Sequence, residues 1–163
     1  MNKKSDRIKI LVLCTGNSCR SQMAEGFFRQ YGWDKIEVKS AGLEPKGVNP
    51  LAIKVMKEVG IDISGHRSKH LNEFLNEDFD YVITVCDNAA ANCPVFPAKT
   101  VEERGRHLER SRKAPPQVRP VRLHWPFPDP AIATGTEEEI LQVFQKVRDE
   151  IGEKVKGWVG KIF

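Results

Sequence analysis

The sequence predicts an α/β fold, an open four-stranded parallel sheet of order 2-1-3-4 with helices on both faces. Three observations lead there. Short apolar runs rich in β-branched residues alternate with longer segments of helical periodicity, the pattern of a parallel sheet covered on both sides. The connections are short, and near-obligatory right-handed crossovers leave this strand order as the simplest winding. The first apolar run flows directly into a small, polar, glycine-containing loop and then a helix, which places a ligand crevice beyond the carboxyl ends of the strands.

Each element has its own signal. Ile8 to Leu13 is an apolar run broken only by Lys9, and it leads into Cys14-Thr15-Gly16-Asn17-Ser18. Met23, Phe27, Phe28 and Tyr31 then fall at helical spacing, with Gly32 as a stop. Ile36 to Ser40 alternates as a second strand. Asn49 offers an N-cap and Pro50 suits the first helical position; Leu51, Val55, Met56 and Val59 supply an apolar face before Gly60. A weaker helical segment, about 71 to 75, precedes Tyr81 to Val85, a central strand by its continuous β-branched and apolar character. Cys86 sits at its end. Val121 to Trp125 is the fourth strand, and Thr136 with Glu137, Glu138 and Glu139 opens a long amphipathic helix carrying Ile140, Phe144, Val147, Ile151 and Val155.

With 163 residues, 40% of them hydrophobic, the chain is expected to form one domain spanning 1–163. Charged residues make up 29%, and no apolar run approaches the roughly 20 residues of a membrane helix. The apolar stretch Ile10 to Cys14 is shorter than the roughly 7 to 15 residues of a signal-peptide core. The expectation is a soluble, cytoplasmic, monomeric protein whose four cysteines are reactive or buried thiols rather than a disulfide framework. Residues 99 to 124 hold eight Lys/Arg against three Glu, so the formal charge of +4 is localised there. The few aromatics and many prolines of this stretch argue against a nucleic-acid surface and for a basic Arg/Pro-rich loop insertion at about 100–120.

The segment Cys14-Thr15-Gly16-Asn17-Ser18-Cys19-Arg20-Ser21 carries the chemistry. Small and polar residues let successive backbone N–H groups turn inward at a helix N-terminus, so Thr15, Gly16, Asn17, Ser18 and Cys19 can cradle a tetrahedral oxyanion. Arg20 adds a bidentate clamp. The same donors, with the Ser21 hydroxyl, favour the Cys14 thiolate and make it a nucleophile at neutral pH. A metal site is not expected, because Cys86 and Cys93 lack a second close pair and the histidines show no ligand spacing. His66, His70, His107 and His124 are assigned no chemistry. Trp33, Trp125 and Trp158 are read as core or rim aromatics.

The stretches CTGNSCRSQMAEG, VKSAG, GVNPLAIKVMKEVGIDIS, VITVCDNAAANCPVFP and HWPFPDPA resemble the thioredoxin-coupled arsenate reductases of the low-molecular-weight tyrosine phosphatase superfamily. The resemblance covers nearly all of the chain outside about 100 to 120. It implies the low-molecular-weight phosphatase fold and a relay in which Cys14 forms a covalent adduct with arsenate, Cys86 attacks Cys14, and Cys93 attacks Cys86. Thioredoxin is then the external reductant, reached by rearrangement of residues 87 to 92. Asp129, in Pro128-Asp129-Pro130, takes the role of general acid; Cys19 contributes its backbone N–H and not its sulfur. Some family members bind potassium through residues matching Asn17, Glu25, Ser40 and an Asp, but Lys69 stands where that Asp would be: its ammonium either takes the cation's place and fixes the loop or is a solvated surface lysine, and a potassium requirement is not expected. The rival enzyme class is a tyrosine or small-molecule phosphatase using Cys14 and Arg20, against which Ala131-Ile132-Ala133 follows Asp-Pro in place of the tyrosines usual there.

Overall fold

The computed structural model describes residues 7–93 and 120–163. The basic insertion and His107 lie outside the described residues. Four strands, β1 (Ile8–Cys14), β2 (Ile36–Gly42), β3 (Tyr81–Thr84) and β4 (Val121–His124), form one sheet of order β2-β1-β3-β4. Every pairing is parallel, with Cys14 opposite Gly42, and Thr84 opposite both Leu13 and His124. The expected topology is the observed one.

The helices are α1 (Arg20–Gly32), α2 (Pro50–Glu58), α3 (Asp87–Ala91) and α4 (Glu137–Ile162), with single 3-10 turns at Trp33–Lys35, Leu71–Phe74 and Pro130–Ile132. Asn49 caps α2 as its sequence predicts, its Oδ1 accepting from the Leu51 N–H at 2.9 Å. Helix α1 lies on β1 and β2 and against α4, which also meets α2. A Cβ on Gly152 would come within 2.8 Å of the Phe27 ring, so glycine is what lets α1 and α4 approach this closely. Side chains alternate across a strand: Ile36 of β2 faces α1 beside Gly32, whereas Lys39, of opposite parity, lies over the Phe74 ring at 5.5 Å. The Leu71–Phe74 turn therefore closes the other side of the sheet.

Between these layers Ile10, Leu11, Val12, Val82, Ile83 and Val85 are wholly buried. Trp158 of α4 stands edge-on to Phe28, Trp125 and Tyr81, with the nearest centroid at 4.9 Å. This aromatic knot fastens the last helix over the end of the sheet. Aromatic pairs of this kind contribute about 0.5–1.5 kcal/mol each beyond their burial.

Three apolar positions fall elsewhere than expected. Trp33 is 80% exposed at the end of α1, with a φ of 48°, and joins neither core nor cluster. Tyr31 lies at the surface, stacked on Phe27. Val59 is the exposed C-cap of α2, since the helix ends at Glu58 and Gly60 turns at a φ of 80°.

Thr136 caps α4, its Oγ1 accepting from the Glu139 N–H at 3.1 Å and donating to Glu139 Oε1 at 3.3 Å. Thr136→Ala is expected to destabilise by about 1 kcal/mol, a fall of about 2–4 °C in melting temperature for a chain of this size. An unchanged melt would mean that the first turn of α4 is held by packing alone.

Candidate functional site

The loop after β1 owes its shape to Asn17. This residue is fully buried and adopts a φ of 47°, a left-handed conformation that Asn tolerates better than most residues. Its Nδ2 donates to Ser21 Oγ at 2.8 Å and Ser40 Oγ at 3.0 Å. Its Oδ1 accepts from Gln22 Nε2 at 3.0 Å and the Lys69 N–H at 2.9 Å, and its carbonyl accepts from Ser68 Oγ at 2.6 Å and Gln22 Nε2 at 3.1 Å. Its own N–H then points to Cys14 Sγ at 3.3 Å. A buried network with its polar groups satisfied rigidifies what it holds.

The Ser21 hydroxyl oxygen accepts from Asn17 Nδ2, which ties Ser21 to the residue whose own N–H points at the Cys14 sulfur. Lys69 reaches the loop in two ways: its Nζ donates to the Arg67 carbonyl at 3.0 Å, and its backbone N–H donates to Asn17 Oδ1 at 2.9 Å. Burial lowers the Lys69 ammonium below the usual lysine range, with Glu25 opposing the shift.

Cys14, Thr15, Gly16, Ser18, Cys19, Arg20 and Asp129 line one cavity of about 230 Å³, together with Lys46 and Ala131. Arg20 ties its two sides together. Its Nη1 donates to the Phe127 carbonyl at 3.1 Å and its Nη2 stands 3.6 Å from Asp129 Oδ2. Asp129 Oδ1 accepts from the Ala131 N–H at 3.0 Å, so an Asp-Pro turn and a place over the crevice coexist. Cys19 is buried, and that burial pushes its thiol up to about 11; it stays protonated at neutral pH. Lys46 had no signal in the sequence. Its N–H donates to the Gly16 carbonyl at 3.0 Å, and its stem lies 3.5 Å from where a Gly16 Cβ would be.

Cys86 ends the β3 connection, buried, and caps α3 with its sulfur, which accepts from the Ala89 N–H at 3.4 Å. Thr15 Oγ1 lies 3.3 Å from Cys86 Sγ and accepts from Asn88 Nδ2 at 3.0 Å. The second thiol therefore rests against the residue next to Cys14. Cys93 lies two residues beyond α3, half-buried, and burial raises its thiol while Arg122 opposes the shift. The sequence suggested only that residues 87 to 92 can rearrange, although Asp87 after a capping residue and three alanines are helix signals. His66 and His124, assigned no chemistry, are both engaged: His66 Nδ1 with Glu25 Oε2 at 2.9 Å and Gln22 Oε1 at 3.0 Å, and His124 with Thr84 and Asp87. Among the described residues no group of His, Cys, Asp and Glu has the arrangement of a metal site, and no helix is long and apolar enough to cross a membrane.

Residues 9–162 match the family model described as low molecular weight phosphotyrosine protein phosphatase. The chain is similar to the arsenate reductase of Shouchella clausii, 49% identical over 147 residues that cover 90% of this chain and 91% of that one. It is 48% identical to the arsenate reductase of Bacillus subtilis over the same shares of the two chains. A solved structure described as an arsenate reductase in the phosphate binding state superposes with a TM-score of 0.70 at 35% identity, covering 96% of this chain and 99% of that one.

The close fit of β2 behind the loop is directly testable. A Cβ on Gly42 would stand 2.6 Å from the Thr15 carbonyl oxygen and 2.9 Å from the Asn17 nitrogen, backbone atoms with nowhere to swing. Gly42→Ala is expected to destabilise by about 1–3 kcal/mol and to weaken phosphate binding about tenfold or more, measured by calorimetric titration. Unaltered phosphate affinity would show that the loop reshapes freely.

Proposed function

The chain belongs to the low molecular weight phosphotyrosine protein phosphatase family, and we propose that it reduces arsenate to arsenite through a three-thiol relay regenerated by thioredoxin. The observation that carries this reading is the 3.3 Å approach of Cys86 Sγ to Thr15. A phosphatase needs a nucleophile in an anion cradle and has no use for a second buried thiol against it.

In the first step the Cys14 thiolate attacks arsenic of an arsenate held by the inward N–H groups and Arg20. An arsenic–sulfur bond forms, a hydroxide leaves as water, and Asp129 supplies the proton from its place over the same cavity. Arsenic remains pentavalent. In the second step the Cys86 thiolate attacks Cys14 Sγ: the sulfur–sulfur bond forms, the arsenic–sulfur bond breaks, and its electron pair goes to arsenic, which departs as arsenite. Two thiols have then been oxidised and one arsenic reduced. In the third step Cys93 attacks Cys86 Sγ and releases Cys14 as thiolate. Thioredoxin, a dithiol reductant, reduces the Cys86–Cys93 disulfide and restores the starting state.

The last exchange requires movement. Seven residues of largely helical rise place the Cα atoms of Cys86 and Cys93 roughly 10 Å apart, whereas a disulfide spans about 4.4–6.8 Å between Cα atoms. Helix α3 must therefore unwind, and its five residues, only Ala89 of them buried, can do so with little loss of core. Cys19 plays no part as a nucleophile, since its thiol is held protonated. A resident potassium ion does not fit this chain. The oxygens that would receive it are already engaged: Asn17 Oδ1 by Gln22 and Lys69, and the Glu25 carboxylate by His66 and Arg29. Weak phosphate-ester hydrolysis by Cys14 and Arg20 is expected as a side activity.

Two experiments test the reading. Cys14→Ser is expected to abolish arsenate reduction and ester hydrolysis alike; Cys86→Ser to abolish reduction and keep slow hydrolysis; Cys93→Ser to release about one arsenite per enzyme and stop with a Cys14–Cys86 disulfide, seen by peptide mass mapping. Continuous turnover of Cys93→Ser with thioredoxin would defeat the three-thiol relay. Asp129→Asn is expected to slow the first covalent step about a hundredfold to ten-thousandfold with arsenate binding retained, read by rapid-quench kinetics. A change below about threefold would leave Asp129 as a turn residue only.

A further inference from the structure

We infer that His124 and Asp87 form a latch that holds α3 wound while Cys86 faces Cys14 and must release before Cys93 can reach Cys86; the inference rests on the relay proposed above. His124 Nε2 lies 2.9 Å from Asp87 Oδ1, and His124 Nδ1 lies 2.8 Å from Thr84 Oγ1. Asp87 is the first residue of α3 and comes directly after Cys86. His124 and Thr84 are paired at the ends of β4 and β3. The imidazole therefore joins the rigid end of the sheet to the first turn of the one element that has to move.

The hydrogen bonds fix the chemistry of the contact. An ionised Asp87 only accepts, so Nε2 must carry a hydrogen. Two arrangements satisfy that. In the neutral ring Nδ1 accepts from the Thr84 hydroxyl; in the imidazolium Nδ1 donates to Thr84 Oγ1, whose own hydrogen turns to the Leu123 carbonyl at 3.4 Å. Thr84 serves both, which is a reason for a hydroxyl at this strand end.

The other contacts of α3 place the latch in the reaction. In the reduced protein the Cys86 sulfur caps the helix through the Ala89 N–H and touches Thr15. When Cys86 attacks Cys14 its sulfur becomes half of a disulfide, a poorer hydrogen-bond acceptor than the free sulfur. The cap weakens at that step, while His124–Asp87 and the Asn88–Thr15 bond still tie the first turn to the rest of the fold and delay unwinding. The Asp87 side chain is 93% exposed and that of His124 37%, and exposed pairs hold weakly. Weakness suits a tie that opens in every cycle: a strong one would stall the transfer from Cys86 to Cys93.

The test compares Asp87→Ala, His124→Phe, the double variant and the conservative Asp87→Asn, whose side-chain oxygen still accepts from Nε2. Hydrogen exchange of the α3 amides is measured in the reduced full-length protein, and conversion of the Cys14–Cys86 to the Cys86–Cys93 disulfide is followed by rapid quench after arsenate addition. Each disruptive single variant is expected to speed both by about three- to tenfold. The double variant should be no faster than either single one, and Asp87→Asn should stay within about twofold of the parent. Unchanged exchange, or single effects that add in the double variant, overturns the latch. If His124→Phe misfolds, the exposed Asp87→Ala with its Asp87→Asn rescue still decides. A parent protein that never forms the Cys14–Cys86 disulfide overturns the relay instead, and the exchange comparison in reduced protein still judges the latch.

Discussion

Everything at the site depends on the buried Asn17, held with a φ of 47°. A non-glycine residue in this region stores about 1–3 kcal/mol of strain unless its surroundings determine it. Here they do. Ser40 comes from β2, Ser21 and Gln22 from the first turn of α1, and Ser68 and Lys69 from the segment before the Leu71–Phe74 turn. Three separate parts of the fold converge on one amide, so the loop cannot relax unless the sheet and α1 come apart. Its conformation is thereby coupled to global stability, and the Asn17 N–H is already turned to the Cys14 sulfur without further reorganisation.

The proposed relay needs the opposite property. A rigid cradle and a mobile second thiol have to sit within contact of each other, and the fold separates them by strand. Cys14 ends β1, an inner strand paired on both sides as β3 is, but the Asn17 network locks the loop leading from it into α1. Cys86 comes after β3, but the residues beyond it form a single short helix whose ties are exposed and few. Local opening free energy tracks burial and hydrogen bonding. The same sheet therefore presents one sulfur on a fixed support and another on a yielding one.

Local signals in the sequence make much of this legible. Strand identity in β1 and β3 comes from continuous apolar runs, and the Asn49 and Thr136 caps from their side-chain chemistry, because each is decided within a few residues of chain. The positions that escape reading are those whose partners lie far away in sequence. Ser21 reads from the sequence only as a loop neighbour of Cys14; its bond to the Asn17 amide, whose orientation is set by Ser40 and Lys69, depends on residues far away in the chain. Lys46 reaches the cavity because the chain after β2 folds back on Gly16, which no periodicity announces. His124 meets Asp87 across 37 residues, and the exposure of Tyr31 and Val59 depends on what packs beside them and not on their own spacing.

Arg20 shows how the two halves of the crevice become one site. It is the first residue of α1, yet its guanidinium bonds the Phe127 carbonyl and faces Asp129, groups on the segment beyond the edge strand. A planar fork with five donors can hold one fixed carbonyl and still present nitrogens to an anion. Its attachment to Phe127 holds that segment at the cavity, so Asp129 lines the same cavity as Cys14 through the residue proposed to clamp the oxyanion. Lysine in that place would offer one nitrogen for three tasks. The requirement for arginine thus comes from the assembly of the site as much as from the charge of the oxyanion.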